Sequence, residues 1–213
     1  MKTPDNWRQA RATLAIAGLT FAAWALVAML GLDRWAQVWG GFIPQRVAGV
    51  SGDEGLAPVL LTPLTSTLVH GGLIHIAFNL LMLVFCGRAV EAILGLRGLI
   101  LLYLVSAYAA AGATLLAASD TLSVTIGASG AISGVFGAYA LLFGRNRVKV
   151  ANPALARALH VLWVGAAWIG LQLMIGFVTS GSAQPVAIAA HIGGFFAGLA
   201  LATPLLLLRY RKA

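Results

Sequence analysis

Long apolar runs, each closed by charged or turn-forming residues, organise this chain from end to end. They fall near Ala12 to Leu32, Leu68 to Gly87, Leu99 to Ala118, Ser129 to Gly144, Ala158 to Val178 and Pro185 to Leu208. A bilayer core about 30 Å thick takes roughly 20 apolar residues in helical form, so the pattern predicts a single all-α membrane domain, a six-helix transmembrane bundle over 1–213. The first run follows a short basic leader, Lys2, Arg8 and Arg11. At about 21 residues it exceeds the core of a cleaved signal peptide and is expected to stay as an anchor. The outer connection from Asp33 to about Thr67 is too apolar for a plain loop and too polar to span. Its Trp35, Trp39, Phe42 and Ile43 recur at helical spacings, which suits either an interfacial amphipathic element or an aromatic belt. Both place this segment against lipid.

Composition narrows the class. Of 213 residues, 60% are hydrophobic and 9% charged, with mean hydropathy +0.91, whereas soluble domains are roughly a quarter charged. A water-soluble globule is excluded. In such a globule 14 Lys and Arg against 6 Asp and Glu would suggest a nucleic-acid partner, but here the cations follow the topology. Lys2, Arg8, Arg11, Arg88, Arg97, Arg145, Arg147, Lys149, Arg157, Arg209, Arg211 and Lys212 fall on one side of the expected spans, and only Arg34 and Arg46 on the other. Lys and Arg accumulate on the cytoplasmic side, so both termini are expected inside, and no nucleic acid is implied. The single cysteine, Cys86, sits in an apolar run, excludes an internal disulfide and reads as core packing.

Polar residues within the spans are the candidates for chemistry, because they are costly in hydrocarbon unless they are satisfied or used. They are His70, His75, Asn79, Ser129, Ser133 and His191, with His160 and Gln172 read as interfacial or packing residues. A rise of about 1.5 Å per residue, counted from the cytoplasmic charge closing each helix, puts Ser129 roughly 24 Å up and His70 and His191 roughly 27 Å. The same count puts His75 at roughly 20 Å and Asn79 at roughly 14 Å. Four of these five share the outer third of the bilayer, on three helices, which implies one polar site opening to the outer side. The fourth helix is short and begins at Gly127-Ala128-Ser129-Gly130, so the chain near Asp120 to Ile126 must dip into the membrane behind it. The positive helix end would then favour oxyanion charge beside Ser129. Gly130 with Gly134, and Gly194 with Gly198, let helices four and six approach closely. Glycines alone would indicate only packing. With Ser129 and His191 on the same faces, nucleophile plus base explains more.

Together these residues resemble the rhomboid family of intramembrane serine proteases. The match consists of His70-x4-His75-x3-Asn79 in the second span, Gly127-x-Ser129-Gly130 opening the fourth, and Ala190-His191-x2-Gly194 in the sixth. It covers Ala12 to Leu208. The resemblance implies a rhomboid-like fold in a bacterial inner membrane, with an outward-facing aqueous cavity roofed by the fifth-span end and neighbouring loops. It implies hydrolysis of peptide bonds in or near the transmembrane segment of single-span proteins, with the lipid bilayer as surroundings and neither cofactor nor metal. Carried over by position, Ser129 is the nucleophile and His191 the general base. His75, Asn79 and the Ser129 N–H form the oxyanion site, with His70, Gly127 and Gly130 in support.

The carboxylates Asp5, Asp33, Asp53, Glu54, Glu91 and Asp120 all fall outside the expected spans, which favours a dyad and a slow enzyme. Two departures stand out. The Trp-Arg pair that many relatives carry before the first motif histidine is missing from Pro58 to Val69, which bears on how the loop is anchored. Ser133 occupies a position often aromatic, leaving small-residue packing or a hydrogen bond to His191 open. Trp163 and Trp168 read as belt and core rather than a gate. Other readings explain less. A haem or metal protein using His70, His75 and His191 leaves Ser129 and Asn79 without a role, and a transporter would show an inverted repeat. A catalytically silent relative that binds transmembrane helices has no need of Ser129 and His191.

Overall fold

The structure, a computed structural model, describes residues 10–47, 55–117, 122–144, 152–179 and 187–211, with Trp7, Gly49 and Val150. Lys2, Asp5, Arg8, Asp53, Glu54, Asp120, Arg145, Arg147, Lys149 and Lys212 lie outside the described residues, as do Ala118 and Pro185 and the connection 180–186. The main helices are α1 (Arg11–Met29), α2 (Asp33–Gly40), α3 (Leu73–Met82), α4 (Arg88–Ala117), α5 (Ser129–Phe143), α6 (Pro153–Thr179) and α7 (Ile188–Tyr210). A wider helical turn, Leu83–Gly87, joins α3 to α4. Among the described residues there is no strand, only the isolated bridge between Phe42 and Thr125.

Four stretches are long and apolar enough to cross a membrane: Arg11–Met29, Leu73–Ala117, Pro153–Ile175 and Ile188–Tyr210. The second, at 45 residues, would be about 67 Å long if straight, roughly twice the hydrocarbon core. It breaks at Gly95, whose φ of 76° and ψ of 169° no helix contains. The break frees the carbonyls of the preceding turn, and Arg209 from α7 supplies donors for them, Nη1 lying 2.8 Å from the Ala92 oxygen and 3.4 Å from that of Glu91.

The interior is built where α4, α5 and α7 meet, around Leu83, Cys86, Val90, Leu99, Leu102, Val135 and Ala202. Large side chains such as Leu19, Leu26, Leu162, Phe177 and Leu207 point outward instead, as they must where the solvent is lipid. Between α5 and α7 the backbones touch: a Cβ at Gly194 would collide with the Gly130 carbonyl oxygen, and one at Gly198 with that of Gly134. Such contact maximises van der Waals packing where no hydrophobic effect separates helix from lipid.

The structure corrects three expectations. The second span does not begin at Leu68: α3 starts at Leu73, after Gly71 and Gly72, so His70 lies in the irregular chain before it and its helical depth count does not apply. Glu91, expected outside the spans, lies within the 45-residue apolar helical stretch. It is 1% exposed and accepts hydrogen bonds from the Ala12 and Thr13 N–H groups, both 2.8 Å, and from the Thr13 hydroxyl, 2.7 Å. It thereby caps the positive end of α1, which has no side-chain cap of its own. Nor does the whole aromatic cluster of the outer segment face lipid. Trp35 is exposed and stacks on Trp39, with centroids 5.3 Å apart, whereas Phe42 and Ile43 are buried in protein.

The outer segment is tied down by backbone groups. Arg46 Nη2 donates to the Ala57 carbonyl at 2.7 Å, Ala57 N–H to Trp39 at 3.0 Å, and the Thr65 hydroxyl to Gly40 at 2.6 Å. Thus Arg46, from earlier in the loop, anchors a segment that lacks the Trp-Arg pair. Phe42 and Thr125 exchange N–H···O bonds of 2.9 and 2.8 Å, and Gly127 N–H reaches the Ser66 carbonyl at 2.9 Å. These contacts fix the chain that enters α5.

Candidate active site

Ser129 is the first residue of α5, and His191 lies in the first turn of α7. Because Gly194 rests on the Gly130 carbonyl, the two helix beginnings are drawn together, and His191 Nε2 stands 2.7 Å from Ser129 Oγ. Both side chains are half-buried. At a helix start the N–H groups of Ser129, Gly130 and Ala131 have no intrahelical acceptor and present partial positive charge.

His75 and Asn79 stand four residues apart on α3 and so share one face. That face is turned to Gly127. A Cβ there would lie 2.6 Å from His75 Nε2 and 3.6 Å from Asn79 Nδ2. Gly127 also has φ +105°, so both its backbone and the space around it demand glycine. Gly71 N–H donates to His75 Nδ1 at 3.4 Å, which leaves the ring proton on Nε2, the nitrogen facing Gly127. Asn79 Nδ2 is buried with no acceptor among the described residues. His70 packs edge-on against His75, centroids 5.0 Å apart, and its Nε2 accepts the Ala128 N–H at 3.4 Å. Two N–H donors, from His75 and Asn79, therefore converge beside the start of α5, and His70 steadies the loop that carries it.

Sequence reasoning left Ser133 open and misjudged Gln172, while the two tryptophans of α6 divide between surface and interior. The Ser133 hydroxyl donates to the Ser129 carbonyl at 2.8 Å, an i to i−4 bond within the helix, and makes no bond to His191. Trp163 is exposed. Trp168 instead stacks on Phe195, centroids 4.9 Å apart, and its Nε1–H donates to the His191 carbonyl at 3.4 Å. Gln172, read from sequence as interfacial or packing, is 2% exposed and places Oε1 2.9 Å from His191 Nδ1. A signal for it existed: counted from Arg157, Gln172 stands about 22 Å up its helix, level with Ser129. His160 is also buried but belongs elsewhere, lying near Gly144 at the far end of α5.

Chemically, this set can take a proton from a serine hydroxyl and stabilise negative charge beside it. Among the described residues no group of three His, Cys, Asp or Glu is placed to hold a metal ion. His70 Nε2 and His191 Nε2 are already directed at Ala128 and Ser129.

Comparison with known proteins gives the arrangement a family. A model of the Rhomboid domain matches residues 59–208, which include the three motifs and the helices carrying them. The chain is 33% identical over 171 residues to RHOMBOID-like protein 4 of Arabidopsis thaliana, covering 80% of this chain and 39% of that protein. It is 34% identical over 137 residues to Rhomboid-related protein 2 of Mus musculus, covering 63% and 44%. To Rhomboid protease GluP of Bacillus subtilis it is 37% identical over 147 residues, covering 68% and 26%. The chain thus spans less than half the length of each of these relatives. With the domain match covering most of its residues, and several apolar helices long enough to cross a bilayer, this integral membrane protein belongs to the rhomboid family.

Proposed function

We propose that this rhomboid is an intramembrane serine endopeptidase that cleaves peptide bonds in or near the transmembrane segment of single-span membrane proteins. The observation that carries this reading is the 2.7 Å approach of His191 Nε2 to Ser129 Oγ. Ser129 Oγ attacks the scissile carbonyl carbon as Nε2 takes its proton. The resulting oxyanion is held by the Ser129 N–H and by the N–H groups of His75 and Asn79. Collapse expels the amine, which takes the proton from Nε2. Water then loses a proton to Nε2 as it attacks the acyl-enzyme, and collapse returns that proton to Ser129 Oγ as the carboxyl product leaves. A helix hides its carbonyls in hydrogen bonds, so substrates must unwind locally, and helix-breaking or small residues near the cut are the expected preference.

The topology that goes with this chemistry is a single domain of six crossings, with the 45-residue run counted as two and the shorter α5, Ser129–Phe143, as one. Both termini face the cytoplasm and the site opens to the outer side of a bacterial inner membrane. The base works without a carboxylate. Asp33 is exposed at the start of α2 and Glu91 is occupied by α1, which fits a slow dyad enzyme.

Co-expression with a panel of single-span proteins, read by fragment size, tests the proposal. Ser129→Ala abolishes cleavage, whereas Asp120→Asn keeps most of it; equal losses would replace the dyad by a triad. In purified protein a fluorophosphonate probe labels Ser129 and the label is lost in His191→Ala. Wild-type protein that takes no label would be a binder of transmembrane helices, not a protease.

A further inference from the structure

A histidine can accept the serine proton only through an unprotonated nitrogen. Nε2 faces Ser129, so the neutral ring must carry its proton on Nδ1; with the proton on Nε2 the ring would be a second donor facing the hydroxyl. Something must select the productive tautomer. Ser133 does not, because its hydroxyl is bonded to the Ser129 carbonyl. No carboxylate among the described residues bonds His191. The group at Nδ1 is the Gln172 side-chain oxygen, 2.9 Å away and buried.

We infer that Gln172 is the positioning residue of the catalytic base, a neutral amide that holds the His191 proton on Nδ1 and the Nε2 lone pair on Ser129. An amide oxygen can only accept, so it bonds the Nδ1–H tautomer and no other. It also continues to accept from Nδ1–H when the ring becomes imidazolium during attack. The reversed amide would offer N–H to Nδ1 and force the proton onto Nε2, the unreactive form. Trp168, one turn earlier on α6, donates to the His191 carbonyl, so residues four apart on one face of α6 grip the histidine at both backbone and ring. Stacking of Trp168 on Phe195, interplanar angle 13°, sets the height of that face against α7. The result is a relay of serine, histidine and glutamine, in which the third member orients the base without bringing charge into the membrane.

This inference rests on the protease reading, and the two fail differently. The test uses the full purified chain as wild type, Gln172→Met and Gln172→Glu. It measures the rate of Ser129 labelling by a small fluorophosphonate, kcat and KM on a single-span substrate, and thermal unfolding. Methionine keeps the volume and removes the acceptor; glutamate keeps an acceptor oxygen. Gln172→Met is expected to slow labelling and kcat by about tenfold or more, the scale seen when the hydrogen-bond partner that orients a metal-bound histidine is removed. KM and unfolding temperature stay near wild type, and Gln172→Glu recovers most of the labelling rate. The inference is overturned if Gln172→Met labels at the wild-type rate, or if labelling falls only in step with unfolding temperature. Wild-type labelling that survives His191→Ala would instead overturn the protease reading itself.

Discussion

Helix α7 meets α5 and α6 on different terms. Against α5 the backbones touch, and even a methyl group at Gly194 or Gly198 would strike a carbonyl oxygen of the other helix. Against α6 there is room: a Cβ at the buried Gly165 would make ordinary contact with the Phe196 ring, at 3.4 Å. Of the four long apolar stretches, the one in α6 is the least buried. The dense seam sets where Ser129 and His191 stand, while the light one, through Gln172 and Trp168, sets how the imidazole is turned. Position and proton are thus held by separate helices, and mutations should divide them.

The largest effect is expected at the seam. Gly194→Ala places a methyl group on the Gly130 carbonyl, and overpacking of this kind costs about 1–3 kcal/mol, occasionally more. It also moves the first turn of α7 away from Ser129. Lower unfolding temperature and loss of nearly all proteolysis should appear together. Next comes Gly127→Ala, outside the seam. Alanine there would have to hold φ +105°, which L residues rarely adopt, and its methyl lands on His75 Nε2, so it displaces a donor without parting the helices. Loss of one oxyanion donor typically lowers kcat by about 10²–10³, and kcat should fall at least that far, with a drop in unfolding temperature from the backbone strain.

The dense half of this design was far more legible in the sequence than the light half. Glycines four apart announce close approach whichever way a helix is turned, and a serine after Gly127-Ala128 marks a helix start. The role of Gln172 depends on which face α6 shows to α7, and a helix with lipid around most of its circumference has no apolar stripe to reveal that face. The His70 to Asn79 spacing alone suggests one continuous helix, but Gly71-Gly72 within it is a break signal and leaves His70 before the helix. Glu91 was hidden by distance along the chain, its partners Ala12 and Thr13 lying 79 and 78 residues away. The burial of Phe42 in protein depends on the chain around Thr125 that it pairs with, which no local pattern encodes.

Glu91 provides an anchor unlike either seam, and so a control on both. Glu91→Gln removes the charge that caps α1 and leaves a single acceptor for three donors. Hydrogen bonds to charged groups are worth about 1.5–3 kcal/mol, so the unfolding temperature should drop. Fluorophosphonate labelling per folded molecule should not, because neither α5 nor α6 has moved. Ser133→Ala is milder still, since the bond it removes lies within α5 and alternatives exist for a first-turn carbonyl; activity within about twofold of wild type is expected.

The smallest effect sharpens the contrast most, because it is the same chemical change made on the other side of α7. Gly165→Ala adds a methyl group that would make only ordinary contact with the Phe196 ring of α7, at 3.4 Å. In a helix interior alanine is favoured over glycine by roughly 0.5–1 kcal/mol, through the backbone freedom that glycine loses on folding. The expected result is an unchanged or slightly raised unfolding temperature and cleavage within about twofold of wild type, opposite in sign to Gly194→Ala. A loss approaching that of the seam variant would mean that α6 seats as tightly as α5, and that Gln172 is held by packing rather than by its two-point grip on His191.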